Sequence, residues 1–460
     1  MLRLYDTAAR AERELVPRDP GRVSMYVCGP TPYDVPHLGH GRTAVVFDVL
    51  RRYLEWRGLD VRFVSNVTDV EDRIIARAAE RGTTEADLSA KYERVYWDEL
   101  ARIGVRAPDA IPHATEYIDG MQQLIAELIE RGAAYVIEGS GVYFAVESYP
   151  GYGDLSHRDV ADLVEGAGAR VEVDERKRSP VDFALWKAAK PGEPTWDSPW
   201  GPGRPGWHIE CSAMSLDLLG EGFDLHGGGD DLVFPHHENE RAQAEAAGHS
   251  FARHWVHSGM VNVSGEKMSK SLGNFTTLAD ALDSYGARTF RMLAVQTHYR
   301  RQMEVGDAEL HQARAAVERL DAFVRRAQAA GLTWTAADVD DARRSELVEA
   351  MDADLDTPEA LARVFTMVRD ANAQLDAGQV DGVLGIVATV DDFVERVLGV
   401  PLEPSVAVPA DVEQLLQQRT AARNAKDWSE ADRLRDEIEG RGWRIEDSPQ
   451  GPVLVPIATE

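Results

Sequence analysis

The hydrophobic pattern near the start of the chain predicts a strand, a helix and a second strand. Apolar residues alternate with other side chains over 22–28, which is typical of a β-strand. After a turn rich in glycine and proline over 29–41, apolar residues recur at helical spacing over 43–57, and a short apolar strand follows over 61–64. Because these elements follow one another so closely, we expect a βαβ unit and a parallel sheet.

A different pattern follows and predicts an insertion. Residues 118–131 have the spacing of an amphipathic helix, and two short strand patterns at 134–137 and 142–145, separated by Glu-Gly-Ser-Gly, are typical of a hairpin. Glycine, proline and charged residues dominate from there to 206. Because the earlier type of pattern resumes beyond that point, we predict that 112–206 interrupts the sheet domain.

Helical spacing dominates the last third of the chain. The predicted helices cover 307–331, 357–378 and about 391–398 and, beyond a linker at 401–409, 411–425 and 431–439, with a hairpin turn at 449–451. Their apolar stripes are typical of core packing, and we expect a helical bundle followed by a small module.

These patterns define the expected fold class. We expect an α/β fold with a Rossmann-like parallel-sheet domain and an insertion, followed by an α-helical bundle and a small C-terminal α+β module. The expected boundaries are 1–111 and 207–260 for the two halves of the sheet domain, 112–206 for the insertion, 261–306 for a connecting region, 307–400 for the bundle and 409–460 for the C-terminal module.

Composition restricts the class of protein. The 460 residues include 50 lysines and arginines against 78 aspartates and glutamates, and the formal net charge is −28. This acidity excludes non-specific nucleic-acid binding, so any nucleic-acid partner needs a local basic face. No run of about 18 apolar residues is present, and we expect no membrane partner. Cys28 and Cys211 are the only cysteines, which excludes a disulfide scaffold and favours a cytoplasmic location.

The first candidate for binding chemistry lies between the first strand and the first helix. His37 and His40 flank Leu38 and Gly39 just before the predicted helix, where free backbone N–H groups and a partial positive charge suit a phosphate. Gly39 lets a ligand approach the backbone, and two histidines can donate to charge that develops on a phosphate oxygen. A turn with solvated histidines is the alternative interpretation.

The second candidate is the segment Lys267-Met-Ser-Lys270-Ser, which follows a short apolar stretch. Two lysines flanked by serines on a loop form a cationic clamp that suits a polyphosphate. An ordinary solvated loop has the same composition and is the alternative interpretation.

Two glycine-rich stretches do not match the known phosphate-binding patterns. Residues 201–206 contain two prolines and follow no predicted strand, so they form a loop. Gly227, Gly228 and Gly229 follow a short apolar piece, but no Lys-Ser or Lys-Thr pair comes after them, so they are not a P-loop.

The third candidate is a metal site formed by residues scattered along the chain. His236 and Glu240 lie four residues apart in a helix-like run, so they face the same side. With Cys28 and Cys211 they form a donor set that suits tetrahedral zinc. Two buried structural thiols and a charged helix surface are the alternative interpretation, and His237 is a rival ligand.

Together these motifs resemble the cysteinyl-tRNA synthetases, a family of class I aminoacyl-tRNA synthetases. The histidine motif and the lysine motif are similar to the two nucleotide-binding signatures of that class, with Leu38 where the class motif has isoleucine. The other matching segments are Met25-Tyr-Val-Cys-Gly-Pro-Thr-Pro-Tyr33, Asn66-Val-Thr-Asp69, Gly206-Trp-His-Ile-Glu-Cys-Ser-Ala-Met214, Phe234-Pro-His-His-Glu-Asn-Glu240, Asp427-Trp-Ser-Glu-Ala-Asp432 and Glu446-Asp-Ser-Pro-Gln-Gly451. The similarity covers essentially the whole chain.

The resemblance implies an activity and a cofactor. It implies a cysteine–tRNA ligase that activates L-cysteine with ATP and Mg²⁺, passes it to tRNA(Cys) and acts as a monomer. It implies one Zn²⁺ that coordinates the substrate sulfur and so rejects serine without an editing site. The implied zinc ligands are Cys28, Cys211, His236 and Glu240.

The resemblance also implies roles for other residues and for the domains. His37, Gly39, His40, Lys267 and Lys270 would bind ATP and stabilise the charge that develops during its reaction. The implied amino-acid pocket comprises Thr68, Trp207 and Asp231, with Asp231 as the candidate for the substrate ammonium group, and the adenosine would approach the backbone at Gly227, Gly228 and Gly229. The sheet domain would be catalytic, 261–306 would contact the tRNA stem, 307–400 would bind tRNA and 409–460 would recognise the anticodon. No individual residue is assigned to tRNA contact.

Two other activities share part of this pattern. A cysteine:amino-sugar ligase of mycothiol synthesis would share the zinc site and both signature motifs, but its C-terminal module would be absent or different. An inactive relative that binds tRNA or zinc as a regulator would have lost motif residues that this chain keeps. The synthetase is therefore the favoured interpretation.

Overall fold

The structure is a computed structural model that describes residues 1–159, 175–263, 266–267, 277–403, 409–448 and 451–456. The chain divides into two compact units, which comprise 1–313, 345–363 and 396–400 for the first, and 314–344, 364–395 and 401–460 for the second.

The elements are named in chain order. The strands are β1 (Arg3–Asp6), β2 (Ala11–Glu14), β3 (Arg22–Val27), β4 (Asp60–Ser65), β5 (Ala134–Ile137), β6 (Gly141–Phe144), β7 (Phe183–Ala188), β8 (Gly203–Pro205), β9 (Leu225–Gly229), β10 (Trp255–Ser258), β11 (Val261–Val263), β12 (Glu266–Lys267), β13 (Met303–Val305), β14 (Trp443–Ser448) and β15 (Gly451–Pro456). The helices are α1 (Leu38–Trp56), α2 (Asp72–Arg81), α3 (Glu85–Arg102), α4 (Ile118–Glu130), α5 (Trp207–Leu219), α6 (Glu238–Ala246), α7 (Leu278–Tyr285), α8 (Ala287–Gln296), α9 (Asp307–Ala329), α10 (Asp341–Asp352), α11 (Thr357–Asp376), α12 (Val383–Arg396), α13 (Ala410–Asn424) and α14 (Trp428–Gly440).

A four-stranded parallel sheet with the order β10-β9-β3-β4 forms the centre of the first unit. α1 connects β3 to β4, so the predicted βαβ unit and the α/β fold class are confirmed. Because the strands are parallel, their carboxyl ends meet at one edge. The segments that follow β3, β4 and β9 therefore come together there.

α1 begins at Leu38, earlier than the predicted start at 43. The reason is capping, because the His37 side chain accepts a hydrogen bond from the Gly39 N–H and the His40 side chain accepts one from the His37 N–H. The glycines of this segment led to the prediction of a turn, but in the structure they allow close packing in the first turn of α1. A Cβ atom at Gly41 would lie 2.8 Å from Cδ1 of Leu278.

The segment between the halves of the parallel sheet contains an antiparallel sheet with the order β5-β6-β7-β8. The predicted hairpin forms with β5 and β6, and its second strand begins one residue before the predicted position. α4 agrees with the predicted helix to within one residue.

Several helices differ from the hydrophobic pattern. α2, α3 and α10 were not predicted. In α10 the apolar residues show almost no helical period, and only Leu347, Ala350 and Met351 are buried. In α2 the apolar residues do recur at helical spacing, with Ile74 and Ala78 buried, so its sequence held a signal that the prediction missed. α12 begins at Val383 rather than near 391, because its first two turns are almost wholly buried and show no polar face to define a period.

The C-terminal part of the second unit contains α13, α14 and the antiparallel pair β14 and β15. Their shared core is formed by Val412, Leu415, Leu434, Ile438, Trp443 and Leu454. Both predicted helices and the predicted hairpin are present, although 449–450 of the hairpin turn and 404–408 of the predicted linker lie outside the described residues. Within the parts of the chain that the structure describes, no helix combines the length and the apolar character needed to cross a bilayer.

A buried ion pair joins α1 to α8. Arg291 donates to the Asp48 carboxylate and to the backbone oxygens of Leu398 and Ile103, at 2.6 and 3.1 Å. Burial disfavours the charged form of Asp48, but Arg291 and then Arg52 outweigh it and lower the pKa of Asp48. Removing one partner of this pair would leave a buried charge uncompensated, so the fold is sensitive to substitution here.

A second, more exposed charge cluster surrounds His249. Its two ring nitrogens lie 2.8 Å from a Glu127 oxygen and 3.0 Å from a Glu221 oxygen. Burial disfavours the imidazolium, but the hydrogen bonds to Glu221 and Glu127 outweigh it and raise the pKa of His249.

Candidate active site

The structure brings the four candidate metal ligands together at the carboxyl edge of the parallel sheet. Cys28 directly follows β3, Cys211 lies in α5, His236 lies in the turn that leads into α6, and Glu240 lies in the first turn of α6. Their ligand atoms all lie within 4.8 Å of one another. Oε1 of Glu240 is 3.4 Å from Sγ of Cys28 and 3.1 Å from Nε2 of His236.

The surroundings of this cluster suit a cation. Cys211, His236 and Glu240 are at most 1% exposed. Burial raises the pKa of both thiols, and burial lowers the pKa of His236, so its imidazole is neutral and able to bind a metal. Two sulfurs, one imidazole nitrogen and one carboxylate oxygen fit the donor preferences of zinc.

A second donor set overlaps the first. Cys28, His226, His237 and Glu240 also offer ligand atoms within 4.8 Å of one another. Nε2 of His226 is 2.8 Å from Oε2 of Glu240, and Nε2 of His237 is 3.9 Å from Oε1 of the same carboxylate. His237 was the rival ligand in the sequence, whereas His226 was missed. The signal for His226 was its place in β9, directly before the glycine run.

Further histidines that the sequence did not single out surround the cluster. Nδ1 of His237 lies 2.7 Å from Nε2 of His257, and Nδ1 of His208 lies 2.9 Å from Nδ1 of His236. Burial lowers the pKa of His208 and of His257 to about 3, so both are neutral at physiological pH. These contacts fix the orientation of two candidate ligand rings.

Tyr26, two residues before Cys28, is fully buried in the core cluster that also contains Cys211. Burial raises the pKa of its phenol, and Cys211, Cys28 and Glu240 raise it further. Its ring is in edge contact with the His226 ring, its partner in the register of β3 and β9, with centroids 5.3 Å apart.

The three candidates for the amino-acid pocket lie in different surroundings. Thr68 is buried and accepts a hydrogen bond from Nδ2 of Asn66 at 3.3 Å. Trp207 begins α5 and stacks on the His236 ring, with centroids 4.3 Å apart. Asp231 is exposed and lines a cleft of about 470 Å³ together with His257. Trp207 therefore contacts the metal candidates directly, whereas Asp231 faces the adjoining cleft.

The glycine run packs tightly against protein atoms. A Cβ atom would lie 2.3 Å from the Phe47 ring at Gly227, 2.8 Å from Leu232 Cδ1 at Gly228 and 2.5 Å from Asp231 Oδ1 at Gly229. Packing alone therefore requires glycine at 227, whatever ligand approaches this backbone.

The histidine motif is held at the N-terminus of α1. The His37 and His40 rings stack with centroids 3.8 Å apart, and the His40 ring meets Tyr96 edge-on at 5.9 Å. A Cβ atom at Gly39 would lie 2.9 Å from the His37 ring, so glycine is needed for this arrangement. Two imidazoles beside the positive end of a long helix suit a phosphate group.

Only part of the lysine motif is described. The backbone of Lys267 lies in β12 and pairs with Asn262 of β11. Lys270 lies outside the described residues, so the structure does not test the predicted clamp.

Comparison with known proteins defines first the class and then the family. Residues 14–315 match the family described as "tRNA synthetases class I (C) catalytic domain", so the fold and site belong to the class I aminoacyl-tRNA synthetases. Residues 346–403 match the "DALR domain", and residues 405–451 match the "Cysteinyl-tRNA ligase anticodon binding domain". The chain belongs to the cysteine–tRNA ligase family, as the motifs predicted.

Individual relatives agree with this assignment. The chain is 47% identical to the cysteine–tRNA ligase of Halorhodospira halophila and 44% identical to that of Carboxydothermus hydrogenoformans, over 98% of this chain and 98% and 99% of the relatives. Among solved structures, methionyl-tRNA synthetase of Mycobacterium tuberculosis in complex with methionyl-adenylate is similar in fold, with a TM-score of 0.62 and 16% identity over 82% of this chain and 92% of that one. Nothing in these comparisons supports the amino-sugar ligase.

Proposed function

We propose that the chain activates L-cysteine with ATP, forming cysteinyl-adenylate and pyrophosphate, and then transfers cysteine to the 3′ end of tRNA(Cys). Relatives of nearly the same length, 44–47% identical, are cysteine–tRNA ligases, which supports the reaction. The observation that carries the proposal is the buried cluster of Cys28, Cys211, His236 and Glu240. A donor set rich in sulfur at the sheet edge suits the recognition of a thiol substrate.

The cluster would hold one Zn²⁺ ion. When bound there, zinc would supply a coordination position for the substrate sulfur as a thiolate. Serine carries a hydroxyl, which is a poorer ligand, and an unmet interaction of this kind can discriminate by about 10⁴–10⁵-fold, whereas an apolar pocket rejects a near-isostere by only about 10²-fold. Such selectivity needs no editing site. The stacking of Trp207 on His236 would orient that ligand ring and close one side of the pocket.

The other site residues would bind different parts of the two substrates. The N-terminus of α1, with His37, Gly39 and His40, would hold the phosphates of ATP with Mg²⁺, and Lys267 and Lys270 would stabilise the charge that develops as the α-phosphate is attacked. Thr68 would line the amino-acid pocket, Asp231 would bind the ammonium group, and the backbone of Gly227, Gly228 and Gly229 would face adenosine.

The remaining assignments concern the whole chain. Within it, 1–111 and 207–260 would form the catalytic domain, 112–206 the connective insertion, 261–306 the stem-contact region, 307–400 the tRNA-binding bundle and 409–460 the anticodon module. We propose that the chain acts as a monomer in the cytoplasm, where tRNA is charged.

The test is transfer of radiolabelled cysteine to unfractionated tRNA in the presence of ATP and Mg²⁺. We expect charging to a plateau set by the amount of tRNA(Cys), and loss of bound zinc and of charging in Cys211→Ser. Ser215→Ala, a buried substitution one turn further along the same helix, should keep both, because the Ser215 hydroxyl donates to the backbone oxygen of Ser212. Zinc-loaded protein that activates cysteine but charges no tRNA would contradict the proposal and favour an amino-sugar acceptor.

A further inference from the structure

The hydroxyl of Tyr26 is the feature that the proposed function leaves unexplained. The Tyr26 side chain is 0% exposed, and its hydroxyl makes no hydrogen bond of good geometry within the described part of the chain. A buried phenol without an acceptor is unfavourable, and tyrosine hydroxyls usually have a partner when they are buried. Phenylalanine would fill the same space without this penalty.

The groups near this hydroxyl are candidate metal ligands. Its electrostatic neighbours are Cys211, Cys28 and Glu240, of which Cys211 acts on it most strongly, and Tyr26 and Cys211 lie in the same buried core cluster. Sγ of Cys211 also donates to Oδ1 of Asn66 at 3.6 Å, and it lies within 4.8 Å of the ligand atoms of Cys28, His236 and Glu240. Oδ1 of Asn66 also accepts a hydrogen bond from the Gly29 N–H at 3.0 Å, and an amide oxygen has no hydrogen to donate to the sulfur.

The state of the Cys211 sulfur decides how well it can accept a hydrogen bond. A neutral thiol is a weak acceptor, whereas a cysteine that binds a metal carries negative charge and accepts strongly. We propose that Tyr26 is a positioning residue of the metal site, whose hydroxyl donates a hydrogen bond to the sulfur of Cys211 when that sulfur binds a metal. This inference rests on the proposed function, because it requires a metal in the cluster.

Two consequences follow for the substrate. The hydrogen bond fixes the direction of one ligand, which keeps the coordination position for the substrate open in one place. It also withdraws negative charge from the Cys211 sulfur, so the metal attracts the substrate thiolate more strongly. Tyr26 lies in β3, the central strand that also leads to Cys28, so the donor and one ligand are held by the same rigid element.

The test compares Tyr26→Phe with the matched control Tyr53→Phe in the full chain. Tyr53 is also 0% exposed, but its hydroxyl donates to Oδ1 of Asp352 at 2.7 Å. Three quantities are measured on each protein: the affinity for Zn²⁺ in competition with a chromophoric chelator, the sulfur-to-metal charge-transfer band after loading with Co²⁺, and the melting temperature with and without metal.

We expect Tyr26→Phe to weaken Zn²⁺ binding by about 10–100-fold and to move the cobalt band to longer wavelength. Its metal-free form should melt at or above the wild-type temperature, because the variant removes a hydroxyl without a partner, while its metal-loaded form should melt below wild type. Tyr53→Phe should lower both melting temperatures and leave the affinity and the band unchanged.

Wild-type affinity and an unshifted cobalt band in Tyr26→Phe would overturn this inference and leave the proposed function intact. Equal destabilisation of the metal-free and metal-loaded forms would also overturn it, since that result indicates ordinary packing. Absence of a sulfur-to-cobalt band in the wild-type protein would overturn the metal assignment and this inference with it.

Discussion

Replacing Gly227 by alanine tests why a glycine stands in the middle of β9. The new Cβ atom would lie 2.3 Å from the ring of Phe47 and 3.2 Å from the backbone oxygen of Val256. Carbon atoms in contact lie about 3.5–4.0 Å apart, so the ring would have to retreat by roughly 1.2 Å or more. Phe47 is 1% exposed, so it has no solvent to move into.

The expected cost follows from this overlap. An extra methyl group in a packed core costs about 1–3 kcal/mol of the free energy of unfolding. Phe47→Leu removes three carbons from the same space and should cost about 2 kcal/mol on its own. Because the alanine methyl group occupies space that the ring has left, the double variant should be more stable than additivity predicts by about 1–2 kcal/mol.

The assay is urea denaturation of the wild type, both single variants and the double variant, followed by tryptophan fluorescence. Gly120→Ala is the control, because a Cβ atom at this exposed helical position meets no atom within 4 Å, and alanine there should stabilise the chain by about 0.5–1 kcal/mol. Strict additivity, or a Gly227→Ala variant as stable as wild type, would refute the packing explanation. An increase in KM for ATP without loss of stability would favour adenosine approach as the reason for the glycine.

Three other substitutions test separate parts of the structure. His37→Asn should leave the stability of the chain unchanged, because asparagine also caps helices. It should lower the kcat of cysteine-dependent ATP–pyrophosphate exchange by about 10²–10³-fold. Unchanged exchange would mean that His37 serves only as a helix cap. Arg291→Leu should lower the free energy of unfolding by about 3–5 kcal/mol, because it leaves the buried charge of Asp48 without its main partner. A loss below about 1 kcal/mol would contradict the role of that ion pair. His249→Gln should lower stability most below about pH 6.5, where the imidazole is charged in both the folded and the unfolded chain, and the difference should vanish as pH rises through the raised pKa of the folded state. The free energy of unfolding of the variant and of the wild type is measured at pH 5.5 and pH 9. An equal difference between the two proteins at both pH values would disprove the role of the His249 imidazolium.

Local features of the sequence determined the elements with strong patterns. The alternation over 22–28 and the spacing after it were enough for the βαβ unit, because backbone periodicity records which face of an element is buried. The start of α1 was misplaced because glycine favours turns in general, and the sequence does not show that His37 and His40 cap a helix there. α10 was missed because its apolar residues show almost no helical period.

The family was also determined by the sequence, since long motifs such as Gly206–Met214 identify it without coordinates. The same motifs predicted the residues of the candidate metal cluster. They could not decide between neighbouring donors, because His226, His236 and His237 are equivalent as residue types.

Only the tertiary structure decided how the site is assembled. Cys28 and Cys211 lie far apart in the chain, and they meet because the strand order β10-β9-β3-β4 brings β3 beside β9 and places α5 against them. Strand order depends on which buried surfaces fit together over long range, and no local period contains that information. The same long-range packing brought Tyr26 into one buried cluster with Cys211 and the ring of Phe47 against Gly227, so both arrangements could be known only from the folded chain.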